Sequence, residues 1–161
     1  SLLDHHGKSF TEKSLQGQWS FAFFGYSNCP DVCPATLTTL NLMLKAIQNQ
    51  AAEVELPRVM MFSVDPERDT VEQLGKYIPY FNKNFIGVTA AKQSDVDAIT
   101  KQFGIAYFVN KKSPTDTEYA VEHSGAILVF NPQGQLHALF SAPHDPVTLA
   151  NEFATIRGVH E

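Results

Sequence analysis

Trp19-Ser20-Phe21-Ala22-Phe23-Phe24-Gly25 leads straight into Tyr26-Ser27-Asn28-Cys29-Pro30-Asp31-Val32-Cys33-Pro34, and this junction decides how the chain folds. The first seven residues are a short apolar, aromatic run closed by glycine, the pattern of a buried strand. From Cys33 onward, Leu37, Leu40, Leu44 and Ile47 recur at helical spacing until the polar stretch at 48–52. That predicts a helix of about four turns. Arg58 to Val64 reads as a second buried strand. Strand, helix, strand in this order calls for a parallel pair joined by a right-handed crossover.

Working outward, Asp69-Thr70 are placed to cap a helix from about Val71 to Asn82, and Phe85 to Thr89 reads as a short strand. Ser94 can cap a helix that runs to Gln102 or Phe103 and stops at Gly104, and the polar stretch from Asn110 to Thr117, with Pro114, reads as a loop. Ala126 to Phe130 and Gln135 to Phe140 flank the turn sequence Asn131-Pro132-Gln133-Gly134 and should pair as an antiparallel hairpin. A last helix spans about Pro146 to Ile156. The pattern is that of an α/β fold, a mixed central sheet with helices on both faces, compatible with a thioredoxin-like arrangement.

The 161 residues, 43% of them hydrophobic and 18% charged, suit one compact domain over 1–161. A domain of this size buries roughly two thirds of its unfolded surface, so it needs neither disulfide nor metal to hold a core. That leaves the two cysteines for chemistry. A net charge of -5 without a basic cluster argues against nucleic acid as a partner. No run of 18 apolar residues is present. Because the chain starts at Ser1 rather than Met, a trimmed or processed form is expected, in which a signal or anchor before Ser1 would not show.

Cys29 and Cys33 follow a buried strand and open a helix. If the segment is helical, the spacing of four puts both sulfurs on one face, and Pro30 and Pro34 cost little in a first turn, whose amides lack intrahelical partners. Those amides and the helix dipole should favour thiolates. A structural disulfide is the blander reading, but so small a loop would restrain the unfolded chain weakly. The pair alone leaves metal binding and disulfide cycling both open.

Three blocks narrow the choice: residues 25–34 quoted above, Ser63-Val64-Asp65-Pro66-Glu67-Arg68-Asp69-Thr70, and Val121-Glu122-His123-Ser124. In order and spacing they resemble the Sco/SenC family of copper proteins, over nearly the whole chain from Asp4 to the last helix. The resemblance implies a thioredoxin-like fold, an upstream membrane tether, and a location on the periplasmic side of the bacterial inner membrane or in the mitochondrial intermembrane space. It also implies a part in assembling the binuclear copper site of cytochrome c oxidase subunit II, or of another periplasmic copper protein.

By position, the resemblance makes Cys29, Cys33 and His123 the metal ligands and Asp65 an accessory group, while Asp31, set between the cysteines, reads as a further accessory whose charge orients a partner or offsets the cation. Thiolates select Cu(I) and imidazole suits Cu(II) as well, so this set could hold copper in either state. Zinc would accept the same donors, but the divalent affinity order favours copper. Where the family often has Thr-His before the first cysteine, this chain has Ser27-Asn28, which removes a nearby imidazole.

The alternative function is a thiol-disulfide reductase, with Cys29 and Cys33 as catalytic residues that keep a target's cysteines reduced; a peroxidase or a redox signalling module is a third reading. Thioredoxin-type oxidoreductases place a cis-proline opposite the cysteine pair, whereas 121–126 has no proline and carries His123, which favours metal. Of the remaining groups, His5 and His6 read as a solvated terminus, His137, His144 and His160 as surface residues, and Tyr26 and Phe108 as core aromatics. Asp69 reads as a helix cap and Arg68 as one end of a local ion pair.

Overall fold

A computed structural model describes the backbone of residues 1–30 and 32–160, with side chains through residue 158. In chain order the elements are β1 (Leu2–Asp4), β2 (Ser9–Phe10), a 3-10 turn (Glu12–Leu15), β3 (Ser20–Gly25), α1 (Val32–Gln50), β4 (Arg58–Ser63), α2 (Val71–Phe81) and β5 (Ile86–Ala90). There follow α3 (Gln93–Gln102), β6 (Tyr107–Asn110), β7 (Ala120–His123), β8 (Ile127–Phe130), β9 (Leu136–Phe140) and α4 (Pro146–His160).

Seven strands form one sheet in the order β2-β1-β5-β4-β3-β8-β9. β3 pairs parallel with β4, and β4 with β5, while β8 returns antiparallel on the other side of β3. All six residues of β3 are buried, as befits the middle of a sheet covered on both faces.

The pleat sorts the helices. Phe21, Phe23 and Gly25 point to one face, where Phe153 of α4 packs edge-on to Phe21 at 5.5 Å and Cys33 of α1 approaches Gly25. Gly87, in register with Met61 on this same face, is covered by Leu74 and Ile78 of α2. On the opposite face Phe24 stacks on Phe62 at 5.4 Å, and Phe103 at the end of α3 meets Phe130. Helices thus cover both faces, three on one and α3 on the other. Among the described residues no helix is long and apolar enough to cross a membrane.

Several local expectations change. Thr70 alone caps α2, accepting from the Gln73 amide at 3.1 Å, because Asp69 is turned into the core. Helix α3 starts two residues early, with Lys92 rather than Ser94 at its cap position. The polar stretch read as a loop connects two strands, β6 and β7, which pair only with each other.

The solvated terminus expected at His5 and His6 holds for His6 only. β1 pairs antiparallel with β5, placing Asp4 opposite Val88, and this carries His5 beside Gly87. His5 is 6% exposed, and its Nδ1 accepts from the Gly87 amide at 3.0 Å. Burial, reinforced by His6, lowers the His5 pKa below its ordinary value. The unfolded chain therefore takes up this proton more readily. The stabilisation is complete above about pH 6.5 and is lost as the pH falls through the lowered folded-state value. Melting temperature should fall between pH 7 and 5, and fall less in His5→Gln, whose amide oxygen can accept from Gly87 without titrating; parallel falls would assign the acid dependence elsewhere.

Candidate metal centre

Strand β3 ends at Gly25, and the chain turns at once, the Cys29 amide donating to the Tyr26 carbonyl at 3.2 Å. Helix α1 begins at Val32, so Cys29 stands in the turn before the helix and Cys33 in its first turn. The two sulfurs still converge, although only Cys33 belongs to the helix. Both cysteines are buried, Cys33 completely, and no disulfide joins them.

His123, the last residue of β7, supplies the third donor. Its Nε2 lies 3.6 Å from Cys33 Sγ, its Nδ1 lies 3.0 Å from the Ser124 carbonyl, and the Tyr26 ring meets it edge-on at 6.0 Å. One ligand atom each from Cys29, Cys33 and His123 lies within 4.8 Å of the others. A single ion can be shared by donors that close, and two thiolates with one imidazole match copper or zinc.

The electrostatics correct the expectation of two thiolates. A hydrogen bond to Cys29, together with burial, pushes the Cys33 thiol well up. Burial opposes the imidazolium of His123, yet hydrogen bonds to Cys29 and the Ser124 carbonyl outweigh it and raise its pKa. Without metal, these shifts favour the protonated forms of Cys33 and His123, both hydrogen-bonded to Cys29. An ion replaces those protons as the centre that all three groups face.

The turn bearing Cys29 is anchored from below by Asp69, which is fully buried. Its carboxylate accepts from the Ser27 amide at 3.0 Å, from the Ser27 hydroxyl and from the Ser63 hydroxyl at 2.7 Å. Burial raises the Asp69 pKa above the ordinary carboxylate value, against the opposing pull of these donors. The departure at Ser27-Asn28 thus keeps a hydroxyl where the anchor needs one, and Asn28 is exposed. Asp69→Ala leaves three donors unsatisfied and should cost about 3 kcal/mol, whereas Asp69→Asn retains an acceptor and should stay within about 1 kcal/mol of the parent. Denaturant unfolding separates the two, and equal losses would mean that the charge itself is required.

Asp65 is not among the converging donors. It is buried and accepts from Arg68 Nε at 2.5 Å, the local ion pair expected from sequence, and from the Tyr119 hydroxyl at 2.5 Å. Asp31 lies outside the described residues. Tyr26 is core as expected, and its hydroxyl also accepts from the Val121 amide at 3.1 Å. Phe108 is not core: it is 60% exposed, because on a hairpin that covers only its own inner face every second residue points outward. Val32 is similarly exposed beside the cysteines. His137 is a surface residue packed edge-on to Trp19, while His144 is half-buried with Nε2 2.6 Å from the Gly125 carbonyl. The His160 side chain lies outside the described residues. Sequence reasoning missed Tyr119 altogether; the one available signal was an aromatic four residues before His123.

Known proteins match the chain over nearly its whole length. The SCO1/SenC family model matches residues 1–157. The chain is 31% identical over 151 residues to protein SCO1 homolog 1, mitochondrial, of Arabidopsis thaliana, covering 94% of this chain and 44% of that one. It spans about half the length of the mitochondrial relatives it matches. The crystal structure of Arabidopsis thaliana ScoI with copper bound superposes with a TM-score of 0.88 at 28% identity, covering 97% of this chain and 94% of that one. Yeast Sco1 with copper bound gives 0.86 at 28% identity, covering 96% and 83%. The thioredoxin-like architecture of those Sco proteins is the one expected from the sequence. With the family model matched over all but the last four residues and the same fold reproduced, the chain belongs to the SCO1/SenC family.

Proposed function

We propose that this chain is a copper-delivery protein which holds one copper ion between Cys29, Cys33 and His123 and passes it to a protein acceptor. The observation that carries this reading is the convergence of two sulfurs and one imidazole nitrogen within 4.8 Å. Soft thiolates suit Cu(I), imidazole admits Cu(II), and the affinity order favours copper over zinc. Solved relatives with copper bound support the same choice. Following the family resemblance, the acceptor is the binuclear copper site of cytochrome c oxidase subunit II, reached from the periplasmic side of the inner membrane, with the domain held there by a preceding tether.

A second reading is favoured by the hydrogen bond between the cysteines themselves. Without copper, the more accessible Cys29 could attack a target disulfide, after which Cys33 resolves the mixed disulfide and leaves the target reduced. The test mixes the copper-loaded chain with the copper-free soluble domain of subunit II without oxygen. Copper appearing in the acceptor supports delivery. If no copper moves but the metal-free dithiol reduces the acceptor's disulfide, the reductase reading replaces it.

A further inference from the structure

His123 reaches the cysteines on a hairpin that the main sheet does not hold. Strands β6 and β7 pair only with each other, through registers such as Tyr107 with His123. What ties the hairpin down is a set of side chains on one side of β7. Arg68 Nη2 donates to the Tyr119 carbonyl at 2.8 Å, and its guanidinium carbon sits 3.6 Å from the Tyr119 ring centroid. Asp65, buried, binds Arg68 through one oxygen and the Tyr119 hydroxyl through the other. Two residues on, the Val121 amide donates to Tyr26. Two residues further comes His123. The far strand is held separately, by Gln93 on the Tyr107 hydroxyl at 3.0 Å.

We infer that Asp65, Arg68 and Tyr119 form a clamp that positions His123 over the cysteine pair, and that this clamp sets the preference of the site for Cu(II) over Cu(I). The inference rests on the copper reading proposed above. The logic is geometric: the cysteines are fixed by β3, α1 and the Asp69 anchor, whereas the backbone that carries the imidazole belongs to the hairpin, and the ring itself meets Tyr26, the two cysteines and the Ser124 carbonyl. Loosening the clamp leaves a two-thiolate site that still suits Cu(I) and withdraws the nitrogen that Cu(II) needs. Asp65, Arg68 and Tyr119 are positioning residues. None of them is placed to touch the metal.

The test uses Tyr119→Phe, which deletes one hydroxyl and keeps the ring under Arg68, and Asp65→Asn as the stronger change. In the metal-free protein, amide exchange at 120–123 should quicken and the His123 ring resonances should shift, while exchange at the buried β3 amides stays unchanged. On titration, Cu(II) affinity should fall by about tenfold or more, the scale of outer-shell losses, and Cu(I) affinity by less than about threefold. Placed on a His123→Ala background, Tyr119→Phe should weaken Cu(II) binding no further. Equal losses for both oxidation states, or a full additional loss on the His123→Ala background, would overturn the clamp. Should the parent hold no copper through its cysteines, the copper reading fails, and the metal-free exchange and resonance data still decide whether the clamp positions His123.

Discussion

Cys33→Ser is expected to weaken Cu(I) binding by at least about a hundredfold, since loss of an outer-shell partner alone commonly costs 10- to 100-fold and here a ligand is removed. The hydroxyl is a hard donor that does not select Cu(I). Cys33 is also fully buried, with its sulfur against Gly25, so the serine hydroxyl should cost about 1–3 kcal/mol of stability. Cys33→Ala separates the two effects. It should lose copper as completely while keeping an apolar group, and so unfold less easily than the serine variant. Competition titration with a Cu(I) chelator reads the first effect and denaturant unfolding the second; a serine variant within tenfold of the parent would remove Cys33 from the ligand set.

The second large effect is expected at Gly25, where β3 gives way to the cysteine turn. A Cβ there would stand 2.8 Å from Cys33 Sγ, 3.0 Å from the Phe23 ring and 3.3 Å from the Met61 sulfur. None of these has open space to move into, since all three side chains are buried. Gly25→Ala should therefore cost about 1–3 kcal/mol as an overpacked core and also displace a ligand sulfur. A chain of this length would lose roughly 2–4 °C of melting temperature per kcal/mol. In the Cys33→Ala background the nearest obstacle is gone, so the cost of Gly25→Ala should shrink measurably. An unchanged cost would mean that the strand, not the sulfur, rejects the methyl.

These two positions belong to the part of the molecule that was legible in the sequence. A buried parallel strand shows itself as a continuous apolar run, and α1 announces itself through Leu37, Leu40, Leu44 and Ile47, all buried. The pairing of β8 with β9 followed from the turn at Asn131 to Gly134. The hairpin that brings His123 to the cysteines was not legible. Its strands are four residues each, their alternation is interrupted by a polar connection, and the side chains that hold Tyr119, just before the second strand, come from Asp65 and Arg68, more than 50 positions away. Only the family resemblance pointed to His123.

Two buried polar residues were hidden for the same reason. Asp69 beside Thr70 has the local look of a helix cap, and only its pairing with Ser27, 42 residues earlier, turns it inward. His5 lies next to a chain end, and its partner Gly87 is 82 residues distant. Local pattern identifies the elements well and fails where a polar side chain is satisfied from far along the chain.

The central claim is that one copper ion is held by two sulfurs and one imidazole nitrogen. X-ray absorption at the copper edge of the Cu(I)-loaded protein reads that first shell directly. The account predicts two sulfur neighbours and one nitrogen from imidazole, with the nitrogen lost in His123→Ala. A shell of nitrogen and oxygen alone, or one that keeps its imidazole after His123→Ala, would contradict it.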